Sequence, residues 1–325
     1  LGDVYKRQVS VKVSGHVNRA IRWTDNGNFS DIQHVDHGGS RTRIRWRGSE
    51  KIGGGNEAGV YIELGLASNR SFALAPKGAD GGDSFSGAAS DIRHSALWFG
   101  GNWGKLWLGH TGTAGYLMES SNLSGLGAVL TIGTVLQNSL TPVQTSGGTT
   151  LTTIGAISHS FDTGREDLIK YQSPWLGPVQ IEASHSNNEV FGIRATAKAN
   201  FGGGKFQASI GHESAENRNG FDTTGGSASF KFSQGTSVWG AYMQRDRPAG
   251  GRDSDYWLLG LGHGWGNNTV GITYYSGDDM AAAGDEVEEW GLAFRHVIPK
   301  ARIQLYATYH NTDYEVGGVS AEDVD

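Results

Sequence analysis

From Val9 to Asp313 the chain keeps changing sides. In Val9–Trp23, the residues Val9, Val11, Val13, Val17, Ile21 and Trp23 fall on one side of an extended backbone, while Ser10, Lys12, Ser14, His16, Asn18 and Arg22 fall on the other. Successive side chains of a strand point to opposite faces, so this period of two describes a sheet with one oily and one wet face. Fifteen such segments can be read. They begin near Val9, Arg41, Ala58, Ile92, Lys105, Asp167, Val179 and Val190, then near Lys205, Gly225, Thr236, Ser254, Thr269, Glu288 and Ala301. Rows such as Phe191, Ile193, Ala195, Ala197, Ala199 and Phe201 are clear; the segments near Val238 and Trp257 carry large apolar residues on both faces. The wet face is too charged to form a protein core. The oily face still has to be covered.

The connections between segments alternate in length. Lys51–Gly55, Gly101–Gly104, Leu176–Pro178, Gly202–Gly204, Ser233–Gly235, Gly266–Asn268 and Pro299–Lys300 are tight and rich in Gly, Asn and Pro, as hairpin turns are. Thr24–Ser40, Asn69–Asp91, Gly112–Glu166, Ala215–Thr224, Asp246–Asp253 and Gly277–Val287 are long, and Asn187–Glu189 is short where the alternation calls for length. Short turns at one rim and long loops at the other, with lipid outside and water inside, describe an outer-membrane barrel. The expected fold is all-β: a transmembrane antiparallel β-barrel of the bacterial outer membrane. A β-sandwich has no reason to segregate its loops by length.

Composition fits that class. There are 51 Gly, 6 Pro and no Cys, so neither a disulfide framework nor a thiolate metal site is available. The chain has no run of apolar residues long enough for a membrane helix. A mean hydropathy of −0.39 is what a barrel gives when lumen residues cancel lipid-facing ones. The net charge of −6 argues against nucleic acid as a partner. Leu1–Gln8 stands outside the alternation and reads as a non-native extension, leaving residues 9–325 as one barrel domain. Single-chain bacterial barrels use even strand numbers, so fifteen strands that end in the polar, acidic stretch after Tyr314 imply that a sixteenth, C-terminal strand is missing and that the sequence is a fragment.

Arg41, Arg43, Arg45 and Arg47 alternate with Thr42, Ile44 and Trp46. With Ile44 and Trp46 toward lipid, four permanently charged guanidinium groups face the water inside, where rings of charge set ion selectivity. The competing account is a solvated face paired with acids on neighbouring strands, such as Glu63. Lys12, Arg22, Arg93, Lys170, Arg194 and Lys198 join the same lumen by alternation. Gly112–Glu166 is long and almost patternless, and a wide lumen is the place for it. Its apolar stretch Leu126–Leu136 reads as a short helix or a wall-packed segment. Trp23, Trp46, Trp175, Trp265, Phe201 and Tyr309 fall near strand ends on the oily face, as interfacial girdles do. His34 and His37 share a loop, but no His/Asp/Glu set has metal-ligand spacing, and no GxSxG, HExxH or nucleotide-binding glycine loop occurs. No metal, cofactor or catalytic residue is expected.

Four local stretches carry a resemblance. They are Arg43-Ile44-Arg45-Trp46-Arg47-Gly48 with Glu50, Arg93 to Gly100, Gly104-Lys105-Leu106-Trp107-Leu108-Gly109, and Lys170-Tyr171-Gln172-Ser173-Pro174. In their order and spacing the chain resembles the trimeric, 16-stranded general diffusion porins of Gram-negative bacteria. The resemblance implies a third long loop, here Gly112–Glu166, folded inward to narrow the pore, with a basic cluster on the opposite wall. By motif position Arg43 and Arg93 match that cluster, and His16 stands where some members carry a lysine. It also implies homotrimers in outer-membrane lipid and lipopolysaccharide, with Asn69–Asp91 reaching a neighbouring subunit, and passive diffusion of small hydrophilic solutes and ions. One departure is informative: the inward loop usually presents several carboxylates, yet before Asp162 this one holds only Glu119. The expected pore is therefore weakly anion-preferring. The alternatives are a substrate-selective, phosphate-type anion porin and an enzyme or adhesin using the barrel as scaffold. His16 is either a pH-responsive member of the basic cluster or a solvated wall residue.

Overall fold

The computed structural model describes residues 10–325 apart from 74, 77–91, 131–138, 159, 216–219 and 248–251. Leu1–Gln8, read above as an extension, and most of Asn69–Asp91 lie outside the described residues. The first elements are β1 (Ser10–His16), β2 (Arg19–Asp25), β3 (Ser30–Asp36), β4 (Arg43–Gly53), β5 (Asn56–Gly65), β6 (Ile92–Gly101) and β7 (Gly104–Gly112). The long third loop then carries β8 (Pro142–Gln144), β9 (Thr150–Thr153) and a single helical turn, α1 (Ile154–Ile157). The chain continues through β10 (Arg165–Gln172), β11 (Val179–Ser186), β12 (Phe191–Phe201), β13 (Gly204–Ser214), β14 (Asp222–Phe232) and β15 (Thr236–Asp246). It ends with β16 (Ser254–Trp265), β17 (Asn268–Asp278), β18 (Glu286–Ile298), β19 (Ile303–Val316) and β20 (Val319–Ser320).

Sixteen of these strands form one antiparallel sheet in the order β1-β4-β5-β6-β7, then β10 through β20 in sequence. Every tight connection expected from the sequence is a turn between adjacent strands, and the lipid-facing rows are exposed as the alternation requires, for example Leu97 and Phe99 on β6 or Leu106 and Leu108 on β7. The fold is the expected transmembrane antiparallel β-barrel. Trp23, Trp175, Trp265, Phe201 and Tyr309 are all exposed.

Three expectations change. Val9–Trp23 is two strands: β1 pairs with β4, whereas β2 pairs with β3 in a separate hairpin. The break falls at Val17 and Asn18, where the Asn18 N–H is taken by Thr42 Oγ1 at 2.9 Å and its carbonyl accepts the His37 N–H. The alternation survives the break because Ile21, Trp23 and Ile32 stay exposed while Arg22 and Thr24 are buried. Arg41 and Thr42 precede β4, so the arginine ladder is a three-residue strand row plus one residue from the connecting segment. Finally, the stretch after Tyr314 is not simply loop. β19 continues to Val316, turns through Gly317-Gly318, and β20 returns along it as the sixteenth strand, two residues long. Beyond it Val324 pairs with Thr312, and Asp25 and Asp325 exchange backbone hydrogen bonds of 3.1 and 2.9 Å, which joins the sheet to β2 at the long-loop rim. Below that point no ladder joins β19 to β1 among the described residues; Tyr306 donates to Asn18 Oδ1 across a gap of about 610 Å³.

The third loop lies inside the barrel. Met118, Leu126, Leu130, Ile154, Ile157 and Phe161 pack against Trp239, Met243, Tyr256, Leu258 and Tyr275 from the inner faces of β15–β17, forming a buried apolar cluster within an otherwise polar lumen. The strands near Val238 and Trp257 are apolar on both faces for this reason: Val238, Leu259 and Leu261 face lipid, and Trp239 and Leu258 face the loop. The described part of the Leu126–Leu136 stretch is wall-packed, with Leu126 and Leu130 seated over Gly271 and Gly291. Residues 131–136 lie outside the described set.

Candidate pore constriction

The inward loop is fastened before it crosses the lumen. The Ser184, Ser227 and Ser229 hydroxyls on the inner wall accept the N–H groups of Ala114, Ser121 and Leu123 at 2.8–3.0 Å. Glu213, fully buried on β13, holds both arms of the loop: it accepts from the Gly115 N–H at 3.2 Å and from the Thr163 N–H and hydroxyl at 2.9 and 2.8 Å. A side chain at position 115 would collide with Glu213 Cγ at 2.3 Å, so only glycine lets the loop approach this carboxylate. Fastening the loop to β11, β13 and β14 leaves open water on the other side, against β4–β6.

There, a cavity of about 710 Å³ is lined on the wall by Arg41, Arg43, Arg45, Tyr61, Glu63, Arg93 and His94, and on the loop side by Tyr116, Leu117, Glu119, Ser120, Ser160, Asp162 and Arg165. Strand register makes the cluster. Arg45 sits opposite Glu63, and Glu63 opposite His94 next to Arg93, so one carboxylate lies under three guanidinium groups. Glu63 is 3.2 Å from Arg43, 3.0 Å from Arg45 and 2.6 Å from Arg93, and accepts the Tyr61 hydroxyl at 2.7 Å. The pairing account of the ladder therefore holds for Arg43 and Arg45, but one carboxylate cannot neutralise three cations. Arg165 donates to the Tyr116 hydroxyl and lies 4.6 Å from that ring's centre, adding a cation from the loop side. Arg41 lies over the Phe72 ring; burial, then the charges of Arg93 and Arg165, push its pKa down to about 10, which leaves it charged at neutral pH.

The loop's acids are arranged to carry little charge. Glu119 accepts from Ser160 at 3.0 Å, and Asp162 accepts the Leu117 N–H at 2.9 Å. Burial raises the pKa of both, and Asp162's charge raises Glu119 further. Two close carboxyls out of bulk water retain a proton between them, so the pair behaves as one negative charge near neutral pH.

Of the residues expected from the sequence, the cavity unites Arg41, Arg43, Arg45, Arg93 and Glu119. It excludes four. Lys12 and Arg47 line a second cavity nearer the tight-turn rim. Lys170 donates to the Gly112 carbonyl at 2.8 Å and lies 3.9 Å from Glu182. His16 faces Arg43 across the β1–β4 ladder, exposed and hydrogen-bonded to the Ser40 carbonyl at 3.1 Å. Arg165 and Asp162 were not anticipated. Both lie where the loop returns to the wall, and no local pattern in the sequence marks that return.

A family profile described as Gram-negative porin matches residues 6–317. No curated protein matches the chain. Among solved structures, an anion-selective porin from Comamonas acidovorans aligns at 19% identity with a TM-score of 0.65, covering 98% of both chains. A loop-deletion form of OmpT, an outer membrane protein of Vibrio cholerae, aligns at 13% identity and 0.61 over 97% of both. A mutant of the Rhodopseudomonas blastica porin aligns at 14% identity and 0.54 over 97% of this chain and 99% of that one. At these identities the structures speak for the fold. The profile, running almost end to end, speaks for descent: the chain belongs to the Gram-negative porin family and forms a β-barrel of the outer membrane.

Proposed function

We propose that the barrel is a homotrimeric, weakly anion-preferring pore for passive diffusion of small hydrophilic solutes, with Arg41, Arg43, Arg45, Arg93 and Arg165 as its selectivity wall. One observation carries the reading: these guanidinium groups share a cavity whose carboxyls are Glu63, bound to three of them, and a Glu119–Asp162 pair that burial holds partly protonated. A fixed positive excess in a narrow, low-dielectric passage raises the local concentration of anions and lowers that of cations. The likeness to a porin described as anion-selective agrees with this sign. The pore needs no chemical step; family membership points to a channel rather than an enzyme.

Reversal potential in planar bilayers under a KCl gradient tests the sign. The potential is expected on the chloride side, moving toward zero in the double variant Arg41→Gln/Arg165→Gln. Cation selectivity in the unmodified protein rejects the assignment. The trimer is checked by cross-linking in native membranes, where a ladder ending at three subunits is expected.

A further inference from the structure

The second cavity, about 470 Å³, lies inside the barrel between the arginine cluster and the tight-turn rim. Its position follows from register: Arg47 is four residues beyond Arg43 along β4, about 13 Å at the rise of a strand. Three cations line it, Lys12, Arg47 and Lys105, and none of them makes a salt bridge among the described residues. In the cavity above, by contrast, Glu63 gathers three arginines. Three rings also line it: Tyr61, Trp98 and Trp107. Arg47 stands 4.6 Å from the centre of Tyr61, and Lys105 stands 3.9 Å from Trp98 and 5.9 Å from Trp107. Trp98 lies flat on the wall because position 59 is glycine; a Cβ there would meet its ring at 2.6 Å. Trp107 is tilted 48° to Trp98 with centres 6.1 Å apart, so the two indoles form an angled cleft beneath the Lys105 ammonium.

We infer that this cleft is a binding station for monoanionic aromatic carboxylates. The carboxylate is the charge that Lys12, Arg47 and Lys105 lack. A flat unsaturated body matches an indole cleft, where offset or edge-on ring packing adds to the area buried. A small inorganic anion would use the cations and leave the rings idle, and a neutral sugar would use the rings and leave the cations unpaired. The site would hold a permeating solute briefly after the constriction. It rests on the channel reading only for that consequence, since binding itself does not require conduction.

The test is therefore binding, on the full chain in detergent, with benzoate and cyclohexanecarboxylate as probes of equal charge and similar size. Ligand-observed NMR titration is expected to give a dissociation constant about 2- to 10-fold lower for benzoate, the range that ring–ring packing supplies. Trp107→Leu is expected to abolish that preference and Trp107→Phe to keep most of it, while Lys105→Gln weakens both probes. Equal affinity for the two probes in the unmodified protein overturns the inference. So does a benzoate preference that survives Trp107→Leu, because the ring contact would then lie elsewhere. Current recordings of the same preparation in KCl report separately on whether the barrel conducts.

Discussion

Glu63 is surrounded by more positive charge than it can balance. Replacing it by Gln keeps the shape and removes the carboxylate that, among the described residues, pairs with Arg43, Arg45 and Arg93. Two effects follow with opposite value to the protein. Anion preference in a KCl gradient should rise, and the barrel should lose thermal stability, because three guanidinium groups lose their shared partner. Unchanged selectivity in Glu63→Gln would mean that the narrowest point lies away from this cluster. The Glu119–Asp162 pair gives the pH response its sign. Because burial raises both carboxyls above their ordinary range, the pair gains its second negative charge only as pH climbs from neutral into the alkaline region. Anion preference should therefore weaken with rising pH and strengthen with acid. Glu119→Gln should flatten that slope, and His16→Gln should not, since His16 is not among the residues that line the cavity. Matching slopes in Glu119→Gln and the unmodified protein would remove the pair as the titrating group.

The elements differ in how openly the sequence announces them. The tight turns are legible because their cause is local: glycines at positions such as Gly53-Gly54-Gly55 have positive φ, which other residues resist. The break between β1 and β2 is not, because both pieces keep the same face outward and the junction is made by Thr42, far along the chain. β15 and β16 confuse a rule that assigns every strand one wet face, since Trp239, Met243, Tyr256 and Leu258 are apolar for the sake of the loop. Arg43, Arg45 and Arg93 of the candidate site could be read from alternation and motif; Arg165, Asp162 and Glu213 could not, because their roles exist only once the loop returns. Glu213→Ala tests that return. It leaves the Gly115 and Thr163 donors without their acceptor, at about 1–3 kcal/mol for each buried group. Single-channel conductance should increase and the segment 113–164 should become sensitive to added protease. Conductance equal to that of the unmodified pore would show that the apolar cluster alone holds the loop.

For the whole molecule, the sheet is strongest opposite its seam. β13 is paired along both edges over its full length, β14 over all but its last residue and β12 over residues 191–197, whereas among the described residues β1 is paired only with β4, and the lower part of β19 only with β18. Backbone groups without a strand partner exchange their hydrogens readily. In detergent, amides of residues 10–16 and 303–311 should exchange well before those of 191–214. Uniform protection around the sheet would mean that another strand, from this chain or a neighbour, occupies the gap beside Tyr306.

The apolar cluster inside the barrel has a consequence for how such a pore can change over time. By seating the loop on β15–β17, the fold makes one arc of the sheet a foundation and leaves another, β4–β7 with the arginines and the indole cleft, to meet the passing solute. The two arcs are formed by different strands, and the effects of distant substitutions add to within about 0.5 kcal/mol. A lineage could therefore exchange one solute preference for another by rewriting a few inward positions on four strands, while the residues that keep the passage narrow stay as they are.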